Sequence, residues 1–271
     1  MSLTAFNIGV VVLLVLFLVL YIARYRKHDL NVFVPAAAWL RACIYFCACF
    51  LFSWLTGTQS MILESPVVTE AQLQNPAWIA WTVGCTALVV VAYLGIWGRY
   101  TLRFDRKLHL ITQIPFGLVW GASMGQLILT IWHLANIVGA GWQTWQIWLL
   151  TWCVLGIWQW LWQDLYWDVY VAPEHDSRWS IKVKTLCTHI PNVTLCLIYL
   201  ALYHNYLIFI ALQTIALVGA SVFMRLPPFW SKESTPPARR QPFIFGLVRG
   251  GGYVSDDPAN DRYLKDAHLP Y

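Results

Sequence analysis

Seven apolar runs separated by short polar segments constrain this chain more than any other feature. They are Leu3–Ala23, Ala37–Gly57, Trp78–Trp97, Ile111–Leu134, Trp145–Trp162, Thr185–Tyr203 and Tyr206–Met224. Crossing a bilayer takes roughly 20 apolar residues in an α-helix. In lipid the backbone must satisfy its own hydrogen bonds, which leaves helices or a closed barrel. These runs are continuous rather than alternating with period two, so they predict helices. The fold class expected is an all-α polytopic membrane bundle. Composition agrees: 59% of the residues are hydrophobic and 11% charged, against about 25% charged in soluble domains. The first run is too long for a signal-peptide core and lacks a basic leader, so it is read as a retained span.

Charge placement predicts orientation. The 18 Lys and Arg residues fall on one side of this topology. They occupy the segments Arg24–Lys27, Arg99–Lys107 and Arg178–Lys184 and the residues from Arg225 onward, with Arg41 near the inner end of its span. Cytoplasmic loops carry this excess of basic residues. The N-terminus is therefore expected outside and the C-terminus in the cytoplasm. Residues 1–225 form the expected seven-helix transmembrane domain and 226–271 a polar cytoplasmic tail. Thr58–Asn75 reads as an exterior polar loop. Gly139 and Gly141 mark one turn, and His204-Asn205 another. The net charge of +5 comes from these flanking clusters, so nucleic acid is not an expected partner; the bilayer is. All seven cysteines lie in apolar runs, which argues against a disulfide framework. The sequon Asn192-Val193-Thr194 sits inside a span, where a glycosylation reading carries little weight.

Few ionisable groups lie within the spans. No acidic residue occupies the centre of one, which weakens an ion-coupled transporter reading. No lysine does either, which excludes a retinal Schiff base. The histidines do not form a mid-span pair, as a transmembrane haem site requires. No metal or cofactor is expected.

The densest polar feature follows the fifth run: Gln163-Asp164-Leu165-Tyr166-Trp167-Asp168, then Pro173-Glu174-His175-Asp176. If the helix continues, Asp164 and Asp168 share a face at the inner membrane surface. Clustered carboxylates at a low-dielectric boundary raise one another's pKa, and a carboxylic acid that keeps its proton is a usable general acid. The alternative is a solvated acidic loop balanced by Arg178, Lys182 and Lys184. The candidate catalytic residues are Asp164, Asp168, Glu174, His175 and His189, the last opening the sixth run beside Pro191-Asn192. One Asp-x-x-x-Asp pair also invites comparison with metal-binding prenyl-diphosphate sites, although its only possible second motif, Asp256-Asp257 in the tail, also reads as a turn. Trp81, Trp120, Trp132 and Trp152 lie deeper than the interfacial tryptophans. They are either packing bulk or faces that stabilise a cation.

Size, seven spans, cytoplasmic carboxylates and aromatic richness together resemble the small integral-membrane terpene cyclases of fungal meroterpenoid pathways. The resemblance is one of architecture over the whole chain and carries over no catalytic residue. It implies acid-initiated carbocation cyclisation of a hydrophobic prenylated substrate, without metal. The rival expectations are a non-catalytic membrane subunit or scaffold, and a small transporter.

Overall fold

A computed structural model describes residues 6–16, 35–97, 107–170, 185–223, 225–231, 243–244 and 248–249, with the backbone alone over 160–170. Among the described residues the regular structure is helical apart from a two-stranded antiparallel ribbon, Phe243–Ile244 with Val248–Arg249. In chain order the helices are α1 (Phe6–Leu16), α2 (Pro35–Leu55), α3 (Thr58–Glu64) and α4 (Glu70–Leu73). Next come α5 (Pro76–Val90), prolonged by a π-helical segment over Val91–Trp97, and α6 (Leu110–Val138). Then follow α7 (Thr144–Tyr170), α8 (Ile190–Tyr203, entered through a π-helical segment over Thr185–His189) and α9 (Tyr206–Phe223).

Five of these helices are long and apolar enough to cross a membrane: α2, α5 with its extension, α6, α8 with the end of its π segment, and α9. The sequence predicts seven. Only 11 residues of the first run are described, as α1. The fifth run forms α7, 27 residues long, but Gln146, Gln159 and its many tryptophans make it less apolar. The segment Thr58–Asn75, expected as a loop, is folded into α3 and α4. Thr69 caps α4 reciprocally with Gln72, its hydroxyl accepting from the Gln72 backbone while the Gln72 side chain accepts from the Thr69 N–H. Asn75 then caps α5, accepting from the N–H groups of Ala77 and Trp78, with Pro76 in the first turn. Such caps satisfy the orphan donors of a helix start. The two predicted turns form as expected. Gly141 has φ +90°, and His204 ends α8 in the left-handed region at φ 52°.

The bundle is organised around α6, which packs most extensively on α9 and then on α2. Its residues Gly117, Gly121 and Gly125 step along one face at four-residue spacing. A Cβ added at Gly117 or Gly121 would collide with the Cα of Val218 or Thr214, and one at Gly125 would lie 3.0 Å from the Cα of Ile210. The two antiparallel backbones therefore touch directly, as small residues permit between membrane helices. Gln113 locks the α6 start to the chain leaving α9. Its Nε2 donates to the carbonyls of Leu226 (3.2 Å) and Lys107 (3.4 Å), while Ser221 Oγ donates to the Gln113 carbonyl at 2.6 Å. Leu226, Pro227 and Pro228 are buried, so the first residues beyond 225 pack onto the bundle. The end carrying Lys107 and Arg225 is called the basic end below.

Hydroxyl groups within the long helices bond to carbonyls one turn back. Examples are Thr86 to Thr82, Ser123 to Val119, Thr130 to Gln126 and Thr214 to Ile210, all between 2.6 and 2.8 Å. That habit lets polar residues sit in apolar surroundings without orphaned donors.

Candidate functional site at the basic end of the bundle

A chain of polar side chains runs between α5 and α8 toward the basic end. Tyr93, on the π-helical extension of α5, faces His189, on the π-helical entry to α8; Tyr93 Oη and His189 Nδ1 are 3.0 Å apart. Asn192 Nδ2 donates to Tyr93 Oη at 3.3 Å, and Cys196 Sγ donates to Asn192 Oδ1 at 3.1 Å. Cys85 Sγ, on the facing side of α5, donates to the Leu195 carbonyl at 3.9 Å. Tyr93, Asn192, Cys196 and Cys85 are all buried. Both π segments occur where these two helices meet. A π turn inserts an extra residue into the helix and re-aims the side chains around it, and such bulges are frequent at functional sites. Asn192 is committed to Tyr93 and Cys196, which leaves the sequon reading without a free, exposed acceptor.

The predicted site residues divide as follows. His189, half-buried, joins the cluster. Asp164 and Asp168, expected at the start of a charged loop, instead lie on the last turns of α7, which runs unbroken to Tyr170; this meets the condition on which the two share a helix face. Glu174 and His175 lie outside the described residues, as does the tail with Asp256 and Asp257. The α7 register adds a detail. Asp164 is seven residues and Asp168 eleven after Ile157, and Asp164 is eleven after Cys153. Ile157 and Cys153 are exposed, and by helical register Asp164 and Asp168 fall on the same face of α7.

α7 and α8 are joined near mid-length, where Trp152 Nε1 donates to Thr194 Oγ1 at 3.3 Å. From that contact His189 is five residues toward the basic end and Asp164 twelve. At 1.5 Å per residue these are about 7 Å and about 18 Å along the axes. The Tyr93–His189 pair is thus interposed, in depth, between the acidic end of α7 and the middle of the bundle.

The deep tryptophans behave in two ways. Trp120 and Trp132 are buried, whereas Trp81 and Trp152 are half-buried. Trp120 stacks on Tyr45 with ring centroids 4.9 Å apart, and Tyr45 stacks on Trp158 at 6.3 Å. These rings from α2, α6 and α7 form one aromatic layer, extended by Phe116 against Trp39 at 5.1 Å. Trp81 instead lines an apolar groove of about 390 Å³ with Ala80, Gly84, Cys85, Leu88 and Leu195.

Sequence reasoning missed two polar features. The first is Tyr93, which carries no motif; the register of its partner His189 with Asn192 was the available signal. The second lies at the opposite end, on Asn205. Its Oδ1 accepts from Trp78 Nε1 (2.6 Å), Tyr199 Oη (3.2 Å) and Gln72 Nε2 (3.2 Å), and its Nδ2 donates to Gln72 Oε1 and the Val67 carbonyl. With every capacity used inside the protein, this amide is a structural clamp between the α3–α4 segment and the α8–α9 turn. Beside it burial holds His204 below the usual histidine range. Among the described residues no group of three or more His, Cys, Asp or Glu side chains is placed to hold a metal.

No protein-family model matches the chain, and comparison with curated proteins and with solved structures found no similar protein.

Proposed function

We propose that this chain is an integral-membrane enzyme that starts a carbocation cyclisation by protonating an isoprenoid-like lipid. In this reading the bundle has seven spans, with the N-terminus outside and the basic end in the cytoplasm. The observation that carries the reading is the Tyr93–His189–Asn192 cluster, in which Tyr93 and Asn192 are buried and His189 half-buried. Placing ionisable side chains inside apolar helices is costly, and such groups mark function more often than packing. This cluster is held by two facing π segments, and it sits in depth between an acidic helix end and the aromatic interior.

The proton source is the group Asp164, Asp168 and Glu174, with His175 and His189 tuning it. Carboxylates crowded at a low-dielectric boundary cannot all ionise cheaply, so one retains its proton near neutrality. Donation to a terminal alkene makes a C–H bond at one carbon and leaves the cation on its neighbour. Ring closure moves that cation, and loss of a proton to a base ends the sequence, so the product is an isomer of the substrate. Trp81, half-buried on α5, offers a ring face to such cations.

Asp164→Asn or Asp168→Asn keeps side-chain shape but removes the proton. Turnover is expected to fall roughly 10²–10⁴-fold, the usual worth of a general acid, with membrane insertion unchanged. The check is product formation by chromatography and mass spectrometry in membranes carrying equal amounts of each variant. Near-wild-type turnover in both amides and in Glu174→Gln would end this assignment.

A second reading, a non-catalytic membrane subunit, is favoured by one observation. By register Asp164 and Asp168 lie on the face of α7 that carries the exposed Cys153 and Ile157. On that reading this face docks a basic partner, and the same amides weaken co-purification of that partner instead of turnover.

A further inference from the structure

We propose that Tyr93 is a positioning residue, which holds His189 as the neutral tautomer that carries its proton on Nε2. The inference deepens the cyclase reading and rests on it: there His189 has a tuning role, and the hydrogen bonds around it fix the form in which it acts. Cys196, Asn192, Tyr93 and His189 make a run of hydrogen bonds with one direction. The Cys196 thiol donates to Asn192 Oδ1 at 3.1 Å. That bond takes the carbonyl end of the amide and turns its NH2 end to Tyr93, where Nδ2 donates to Oη at 3.3 Å. Tyr93 Oη accepts this bond, so its own proton goes to His189 Nδ1, 3.0 Å away. A neutral imidazole that accepts at Nδ1 carries its proton on Nε2.

The opposite run is less favourable. In it His189 Nδ1–H donates to Tyr93, the tyrosine proton goes to Asn192 Oδ1, and the amide NH2 points at sulfur, a weak acceptor. The side chains are also held in place. Asn192 and Cys196 are buried on α8. Tyr93 is buried against α9, its Cβ 3.5 Å from where a Cβ on Gly219 would lie. The Tyr93 and His189 rings meet edge-on, at 60° with centroids 5.7 Å apart, which suits a lone pair in the imidazole plane. A proton added at Nδ1 has to displace the tyrosine proton and reverse the run, so the lock keeps His189 uncharged. That form fits an acid-initiated reaction. An imidazolium favours the ionised form of carboxyl groups near it, whereas a general acid must keep its proton. A neutral Nε2–H adds no such charge beside the group Asp164, Asp168 and Glu174.

The test is nitrogen NMR of the full chain in nanodiscs, with ring-labelled histidine and the His189 signals assigned by their loss in His189→Gln. The two nitrogen shifts distinguish the Nε2–H form, the Nδ1–H form and the imidazolium. The Nε2–H form is expected to dominate at neutral pH. Tyr93→Phe keeps the ring and removes the hydroxyl, and it should cut the ratio of that form to the other two by roughly 2–13-fold, the net worth of one hydrogen bond. Asn192→Asp is the second, independent variant. It replaces the amide donor by an acceptor, so Tyr93 turns to it and His189 becomes protonated on Nδ1. A packing role alone would not move the proton from one ring nitrogen to the other. His189 protonated on Nδ1 in the wild type, or shifts indifferent to both substitutions, would overturn the proposal. So would unchanged turnover of an identified substrate by Tyr93→Phe once the Nε2–H form is lost. Because the tautomer is read without substrate, a locked His189 combined with full activity in the Asp164 and Asp168 amides would retain the lock and remove the acid assignment.

Discussion

Replacing Gly121 with leucine is expected to prevent α6 and α9 from docking. The position faces the Cα of Thr214 so closely that even a methyl group collides with backbone. A flexible side chain can swing away from an intruding atom, but a helix backbone moves only as a whole. Overpacking a core costs typically about 1–3 kcal/mol and occasionally more, and this site belongs at the upper end because α6–α9 is the largest interface in the bundle. Against a total stability of about 5–15 kcal/mol, such a change is severe. The expected result is loss of the monodisperse peak in detergent, or a large drop in the temperature at which it disappears. Gly117→Leu should behave alike, since it meets the Cα of Val218. Gly84→Ala is the control and should be neutral or slightly stabilising, because its Cβ enters open space. A Gly121→Leu protein as stable as this control would show that the two helices do not touch as described.

Asn205→Leu carries the second large effect. The substitution is close in size but removes both halves of the amide. Trp78 Nε1 loses an acceptor at 2.6 Å, and the Val67 carbonyl loses its donor. A buried polar group left without a partner costs about 1–3 kcal/mol, so the two together predict a loss of roughly 2–6 kcal/mol. Tyr199 is less affected, because its hydroxyl can turn to donate to Thr82 Oγ1, 3.1 Å away, whose own proton goes to the Trp78 carbonyl. Asn205→Asp keeps the acceptor for Trp78 and should recover part of the loss. Thermal unfolding of the three proteins in one detergent checks the order: wild type, then Asp, then Leu. The same Leu variant should leave the Tyr93–His189 end unaltered, since that cluster shares no hydrogen bond with Asn205.

How much of this was legible beforehand follows from which interactions leave a local trace. Span positions were readable because hydrophobic length is a local property. The boundaries of α2, α5, α6, α8 and α9 fall within a few residues of the apolar runs. The α3–α4 segment was misread as a loop because its polar composition hid two short helices, although Thr69 with Gln72 and Asn75-Pro76 are recognisable starts. α7 was counted as a span on length, and its tryptophans and glutamines lower its apolar character below that of its neighbours. The Gly117–Gly121–Gly125 ladder stood in the sequence at four-residue spacing, the pattern of close membrane-helix contacts; what the spacing does not name is the partner helix. Residues 164–170 read as the start of a charged loop, because two aspartates follow the apolar run, yet they continue α7. Of the candidate site, His189 was visible. Tyr93 was not, because its role depends on a helix ninety-odd residues away and on π turns that no short motif announces.

Protonation of carbon by a protein-held acid, as proposed, leaves a solvent-derived hydrogen on the product. The most direct measurement is turnover in deuterium oxide. Membranes carrying the full chain are given a prenylated aromatic substrate with a terminal alkene, and the product is examined by mass spectrometry and NMR. The account predicts a cyclised product with one deuterium bound to carbon at the site of first protonation, formed at a rate that Asp164→Asn or Asp168→Asn reduces. A cyclised product with no deuterium on carbon, or one formed equally fast by both amides and by Glu174→Gln, would contradict it.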